Sequence, residues 1–166
     1  MNRDLVTALR PPAASVAIRE ITADGNDAAN VALFGFCRAA AIDVQFILCD
    51  QGDIDQLAAL VGHGVIPLQD FAALIVLGRY STGQIVAPED VAPMADRLLG
   101  AFPDIDWAAC AFGARETACL LKAHRMGGKC RVGFENNRLN ADGREARDNG
   151  DRIAELSKAL EGMDER

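Results

Sequence analysis

The strongest constraint on the fold is a regular alternation of short apolar segments with longer helical ones, repeated at a spacing of about 30 residues. The short segments are typical of strands that are buried on both faces of a sheet. They are residues 15–21, 44–50, 72–78, 106–113 and 130–134. This pattern predicts an α/β fold with five βα units on a parallel sheet, in a single domain over residues 1–166.

The segments between the predicted strands have the periodicity of helices. Ile54, Leu57, Ala58 and Val61 fall at i, i+3, i+4 and i+7, and Asp53 precedes them where a carboxylate favours a helix start. Further helices are predicted before Pro11, over residues 28–41, over residues 114–126, and around Ile153, Leu156 and Leu160. Another is predicted to begin at Pro88, with an inward stripe of Val91, Met94, Ala95 and Leu98.

Five units do not close a barrel, because a (β/α)₈ barrel takes eight strands and about 250 residues. A five-stranded parallel sheet therefore has two open edges to protect. The pattern leaves three arrangements open. The strands form an open doubly wound sheet, or two chains complete one another, or the remaining strands belong to a separate polypeptide.

Composition excludes several classes of function. The 17 basic and 24 acidic side chains give a net charge of -7, which disfavours nucleic acid or an anionic membrane as the partner. No apolar run approaches the roughly 20 residues of a membrane helix, and residues 1–10 lack the apolar region of a signal peptide. We therefore expect a cytoplasmic protein.

The cysteines and histidines give no metal signature. The five cysteines are scattered without a Cys-x-x-Cys pair, so we expect reduced and mostly buried thiols. His63 lies in a helix-to-strand loop, at the end of the fold opposite the expected site, and His124 lies on an outer helix. The positions at the expected site thus do not supply the three ligands of an ordinary catalytic zinc site.

Candidate site residues follow the predicted strands, because ligands in parallel α/β folds collect at the carboxyl ends of the strands. The sequence contains no P-loop, dinucleotide fingerprint, nucleophile elbow or His-Glu-x-x-His motif. The residues at the strand ends are Glu20, Asp50, Arg79, Tyr80, Gly113, Arg115, Arg131, Glu135, Asn136 and Asn137.

The last of these strand ends is the most informative. Alternation along a strand sends Arg131, Gly133 and Glu135 to one face, where a guanidinium and a carboxylate share a pocket. This arrangement suits a clamp for a substrate carboxylate beside a metal ligand. The alternative is a buried ion pair between Arg131 and Glu135 that stabilises the interior.

The segment GGKCRVGFENN, residues 127–137, resembles the closing segment of the β-keto acid cleavage enzymes, which include 3-keto-5-aminohexanoate cleavage enzyme. The resemblance extends downstream through Asp142, Gly143, Ala146 and Asn149. Upstream it passes through residues 107–113 and 77–84 to residues 45–50, so that it covers nearly the whole chain.

This resemblance implies a TIM barrel that binds a divalent metal, usually zinc, and exchanges acyl groups between a β-keto acid and acetyl-CoA. Glu135 resembles the family's metal ligand, and Arg131 the arginine that acts in substrate binding and catalysis. Asn136 stands where many members have a catalytic aspartate. We also expect Arg79, Tyr80, Gly113, Arg115 and Asn137 to contact the substrate or the phosphates of an acyl-CoA.

The resemblance also implies a departure from the family pattern. Members have about one hundred further residues at the amino end of the barrel, and these carry a glutamate and a His-x-His metal pair. The chain is therefore expected to have an incomplete TIM-barrel fold. Two functions follow from this expectation. The first is a truncated enzyme of this family, which is completed by a second polypeptide or a homo-oligomer, or derives from a longer gene whose start was lost or misassigned. The second is a non-catalytic, dimeric remnant that binds a carboxylate or an acyl-CoA.

Overall fold

The computed structural model describes residues 3–67, 71–80, 83 and 85–164, and these form one five-stranded sheet with helices between the strands. The strands are β1 (Ala13–Ala17), β2 (Asp43–Leu48), β3 (Phe71–Leu77), β4 (Asp106–Ala111) and β5 (Lys129–Cys130). The helices are α1 (Arg3–Leu9), α2 (Ile18–Ile21), α3 (Asp27–Ala39), α4 (Gln51–Gly62), α5 (Val91–Ala101), α6 (Glu116–Arg125) and α7 (Asn149–Asp164). A short 3-10 turn, Pro88–Asp90, precedes α5.

The strands lie in sequence order, β1-β2-β3-β4-β5, and every neighbouring pair is parallel. A doubly wound sheet reverses its strand order at a switch point, whereas this sheet winds in one direction only. The doubly wound alternative is therefore wrong. The predicted α/β fold is confirmed as a partial TIM-barrel-like sheet of five parallel strands.

The two faces of the sheet have different partners. Phe46, Leu48 and Ile75 belong to the main hydrophobic core, which includes residues of the surrounding helices. The opposite face carries a smaller cluster around Leu74 and Cys110, and no helical residue belongs to that cluster among the residues described. Because the helices pack on one face, the other face corresponds to the interior of a barrel.

Side-chain caps fix the helices that follow the strands. Asp50 is the N-cap of α4, and its Oδ1 accepts a hydrogen bond of 2.9 Å from the backbone N–H of Asp53. Asn26 caps α3 in the same way, through a 3.0 Å bond from Ala29. The chain therefore turns sharply at the carboxyl end of β2, which places Asp50 and Asp53 at the rim of the sheet.

The predicted strand over residues 15–21 is only partly correct, since β1 ends at Ala17 and residues 18–21 form the short helix α2. Ile18 and Ile21 are both fully buried one helical turn apart. Their i, i+3 spacing fits a helix as well as the apolar run fits a strand. The helical turn brings Arg19 towards the end of β2, where it bonds to Asp50 and Asp53.

The last strand is shorter than predicted. Instead of residues 130–134, β5 contains Lys129 and Cys130, with one further ladder bond of 2.9 Å from Arg131 N–H to the Ala109 carbonyl. Two of the following N–H groups donate to side chains instead of to β4, that of Gly133 to Glu116 and that of Phe134 to Asn149. The strand stops because these side chains take over its donors.

The five cysteines are free, and Cys37, Cys110 and Cys119 are buried, as expected from their sequence context. Burial raises the pKa of the Cys110 and Cys119 thiols to about 11. In the parts of the chain that the structure describes, no helix is long and apolar enough to cross a membrane.

Candidate functional site

The loops that follow β4 and β5 meet at the carboxyl end of the sheet. The N–H of Gly113, after β4, donates a 3.1 Å hydrogen bond to the carbonyl of Asn136, after β5. Gly113 has a φ of +94°, a backbone conformation that glycine adopts without strain. We call residues 131–137, with Arg131, Glu135 and Asn136, the rim loop.

Arg131 and Glu135 form an ion pair in the rim loop. The Nη2 of Arg131 donates to the Oε2 of Glu135, and the two side chains are 45% and 57% exposed. The Nη1 of Arg131 lies 3.9 Å from the Sγ of Cys110, on the inner face of the sheet. The predicted pair is present, but it lies on the loop after β5 and not on a strand, and it is exposed, so the alternative of a buried pair is wrong.

Asn136 is buried, with 5% of its surface exposed. Its Nδ2 donates a 3.1 Å bond to Glu116 Oε1, and its Oδ1 has no hydrogen-bond partner among the residues described. The amide of Asn137 is used within its own loop, since Nδ2 donates to the Leu139 carbonyl and Oδ1 accepts from the Leu139 N–H. Asn137 is thus bonded within the rim, and its substrate contact stays a prediction.

A buried ion pair lies directly beneath the rim loop. Glu116, the first residue of α6, and Arg152 of α7 are fully buried, and their side chains are joined by a 2.7 Å bond from Nη2 to Oε2. Arg152 also bonds to Thr117, Asn140 and Glu155. This pair was not predicted from the sequence, although Glu116 directly follows the segment 113–115 at a strand end.

A second group of charged residues occupies the rim at β1, β2 and β3. Arg19 bonds to Asp53 and Asp50 at 2.7 and 2.9 Å, and its guanidinium lies 4.8 Å from the centre of the Tyr80 ring. The bond to Asp53 contributes most to raising the pKa of Arg19 above its ordinary value. Arg19 was not predicted as a site residue, because the sequence pattern placed it in a strand and not in α2.

Arg79 and Arg115 are two further exposed cations of this rim. Arg79 lies 5.8 Å from the centre of the Tyr80 ring, and Tyr80 itself is 64% exposed. Arg115 precedes α6 and is exposed. Neither guanidinium forms an ion pair with another residue in the described ranges. Residues 81, 82 and 84 of the predicted binding loop lie outside the described residues.

A family model of beta-keto acid cleavage enzymes matches residues 3–166. The chain belongs to the beta-keto acid cleavage enzyme family. The match confirms the resemblance inferred from residues 127–137, and it extends upstream of the residues on which that resemblance rested. No curated protein matches the chain.

The residues described do not by themselves fit the catalytic zinc expected from the family resemblance. Glu135, the predicted ligand, has one carboxylate oxygen bonded to Arg131. No group of three or more His, Cys, Asp or Glu side chains within the described parts of this family member is arranged to hold a metal ion. A catalytic zinc site normally has three protein ligands, so Glu135 would need ligands from elsewhere.

Proposed function

We propose that this member of the beta-keto acid cleavage family binds the carboxylate of a β-keto acid through Arg131. The observation that carries the proposal is the position of this guanidinium, exposed at the carboxyl end of β5 and directed at the inner face of the sheet beside Cys110. A planar guanidinium binds a carboxylate through two parallel hydrogen bonds. Carboxylate is also the group that every β-keto acid shares, whatever its acyl chain.

The proposed reaction is an acyl exchange. The bond between the keto carbon and the methylene carbon of the β-keto acid breaks, and the methylene carbon takes the acetyl group of acetyl-CoA to give acetoacetate. The remaining acyl group takes the CoA thiolate to give a new acyl-CoA, so the exchange is balanced without an oxidant. In this proposal Arg131 holds the carboxylate through the exchange, and the neighbouring Asn136 is the residue assigned to the reacting groups.

The phosphates of acyl-CoA are assigned to the exposed cations of the rim. Arg79 and Arg115 are exposed and form no ion pair with another described residue, so their guanidinium groups are available to an anion. Tyr80 offers an exposed ring beside Arg79, and Gly113 adds no side chain next to Arg115. We assign no step to zinc, because the donor set around Glu135 does not fit a metal site on its own among the residues described.

The proposed active form contains more than this one sheet. Five strands leave two open edges, and closure of the barrel needs three more. A homo-oligomer or a second polypeptide would cover these edges and supply further ligands to the rim. We propose a cytoplasmic protein whose ligands are small molecules.

A second function, binding without turnover, is favoured by the bond between Glu135 and Arg131. This bond engages one carboxylate oxygen of Glu135, the predicted metal ligand, with the guanidinium of Arg131. Such a pair suits a site where a ligand carboxylate takes the place of Glu135 on Arg131 better than it suits a metal centre. Such a protein would bind acetoacetate or an acyl-CoA and release it unchanged.

Binding and turnover are tested on the full chain. Calorimetric titration with acetoacetate should show binding that weakens by about tenfold or more in Arg131→Ala, because a charge-assisted carboxylate contact is lost. Arg144→Ala is the matched control, since Arg144 is exposed and pairs only with Asp142 among the residues described. Equal affinity in the two variants would contradict the assignment of Arg131.

Turnover is measured by mass spectrometry after incubation with acetyl-CoA and 3-oxohexanoate, with and without added zinc sulfate. Formation of butanoyl-CoA together with acetoacetate supports the enzyme. Binding of acetoacetate without formation of butanoyl-CoA supports the second function.

A further inference from the structure

The rim loop is held in place by Glu116, a residue of α6 that lies outside the loop. Glu116 Oε1 accepts two hydrogen bonds from this loop, one of 3.1 Å from Asn136 Nδ2 and one of 3.4 Å from the Gly133 N–H. These two contacts lie on either side of Glu135 in the sequence. A single buried carboxylate oxygen therefore holds both flanks of the residue that pairs with Arg131.

The other oxygen of Glu116 is held from the opposite side. Glu116 Oε2 accepts from Arg152 Nη2 at 2.7 Å, and both side chains have no exposed surface. Arg152 in turn donates to Thr117 Oγ1 at 3.2 Å and to Asn140 Oδ1 at 3.1 Å. Because the carboxylate is fixed by Arg152, its second oxygen stays directed at the rim loop.

We infer that Glu116 is a positioning residue, which anchors the rim loop through Gly133 and Asn136 so that the exposed Arg131 and Glu135 face the substrate. Arg152 is the cation that keeps Glu116 in place from α7. This inference rests on the proposed function for its role in catalysis, but the attachment of the loop to Glu116 is testable without any substrate. Asn136 uses its Nδ2 as the donor to Glu116. Its Oδ1 has no hydrogen-bond partner among the residues described and can accept a further hydrogen bond.

Single substitutions would confuse positioning with stability. Removing one partner of a buried ion pair leaves an uncompensated charge and threatens the whole fold, whereas replacing both partners by groups of similar volume is often tolerated. We therefore compare two double variants that both lack the ion pair. The Gln double variant, Glu116→Gln with Arg152→Met, keeps an acceptor oxygen for the rim loop. The Leu double variant, Glu116→Leu with Arg152→Met, removes it.

The first measurement is amide hydrogen exchange by nuclear magnetic resonance on the folded chain. In the Leu double variant we expect exchange of the Gly133 N–H and the Asn136 side-chain amide to accelerate by about tenfold or more, since their acceptor is lost. In the Gln double variant we expect the exchange rates of both groups to remain close to those of the original protein. Exchange of the β3 amides in both variants reports whether the sheet itself is intact.

Equal protection of Gly133 and Asn136 in the two double variants, with β3 intact, would overturn the inference. Titration with acetoacetate then tests the link to function. We expect weaker binding in the Leu double variant and restored binding in the Gln double variant. Binding that is equal in both variants despite a released loop would overturn the positioning role.

A failure of the proposed function is distinguishable from these results. If the unchanged protein does not bind acetoacetate, the assignment of Arg131 fails, while hydrogen exchange at Gly133 still decides whether Glu116 holds the loop.

Discussion

At the scale of single residues, the ion pair between Arg131 and Glu135 means that a ligand carboxylate competes with Glu135 for Arg131. The side chain of Glu135 is 57% exposed. The two side chains are four residues apart on one loop. Exposed pairs of this kind contribute little to stability, so their exchange with a ligand costs little.

This competition predicts the effect of Glu135→Gln. The neutral amide competes less well for Arg131, so we expect acetoacetate to bind about twofold to fivefold more tightly, as measured by calorimetric titration. Glu145→Gln is the matched control, because Glu145 also forms an exposed pair, with Arg138. Weaker binding in Glu135→Gln would show that Glu135 does more than neutralise Arg131.

The residues of the site differ in how far the sequence could reveal them. Arg131 and Glu135 were predicted as neighbours from strand alternation, and they do form a pair, but β5 ends at Cys130 and the pair lies on the loop that follows it. The roles assigned to them and to Asn136 stay predictions. Glu116 and Arg152 are 36 residues apart and meet only after α6 and α7 pack. In the sequence Glu116 has the pattern of an acidic helix start. Arg152 lies four residues before Leu156, on the apolar side of α7, but an arginine is ordinarily expected in solvent.

At the scale of elements, Gly128 fixes the connection between α6 and β5. A Cβ at this position would lie 2.5 to 2.7 Å from the six-membered ring of Trp107, a buried residue of β4. A contact this short is not tolerated, so either the indole or the backbone must move. Because glycine has no side chain, the backbone between α6 and β5 can pass directly over the ring of Trp107.

We therefore expect Gly128→Ala to lower the free energy of unfolding by about 1–3 kcal/mol, the usual cost of overpacking a filled core. Urea denaturation followed by the fluorescence of Trp107 measures the change. Gly100→Ala is the control, because Gly100 lies in α5 with open space around its would-be Cβ. That variant should be equally or more stable than the original. Equal stability of both variants would refute the close contact at Trp107.

The elements themselves were largely predictable, and the exceptions have physical causes. Apolar spacing indicated α4 and α5 because their buried stripes are regular. The same signal failed at residues 18–21, where Ile18 and Ile21 satisfy a helix and a strand equally. It also failed at β5, because the strand ends where Glu116 and Asn149 capture backbone donors from distant parts of the chain.

At the scale of the whole molecule, the sequential parallel sheet accounts for the position of the site. Every strand directs its carboxyl end to the same rim, which brings the loops after β4 and β5 into contact. Strand order was not available from the sequence, since the same βα pattern also suits a doubly wound sheet. The resemblance of residues 127–137 predicted the barrel, and the family match supports it.

The open edges of this sheet predict association. β1 is an edge strand with β2 as its only neighbour in the described sheet, and Ala13 on it is exposed. Unpaired strand edges bind other chains unless charge or proline blocks them, and β1 contains neither. We expect light scattering to give a mass above that of one chain. Ala13→Lys should shift the population towards one chain, because a lysine at a strand edge opposes pairing.

Ala118→Lys provides the matched control for this experiment, since Ala118 is exposed on α6, which packs against β4 and β5 at the other end of the sheet from β1. It adds the same charge without touching β1, so its mass distribution should equal that of the original protein. A larger effect of Ala118→Lys than of Ala13→Lys would place the association surface on the helices. A single chain of uniform mass in the original protein would show that both edges are stable in water as they stand, which contradicts the need for a partner.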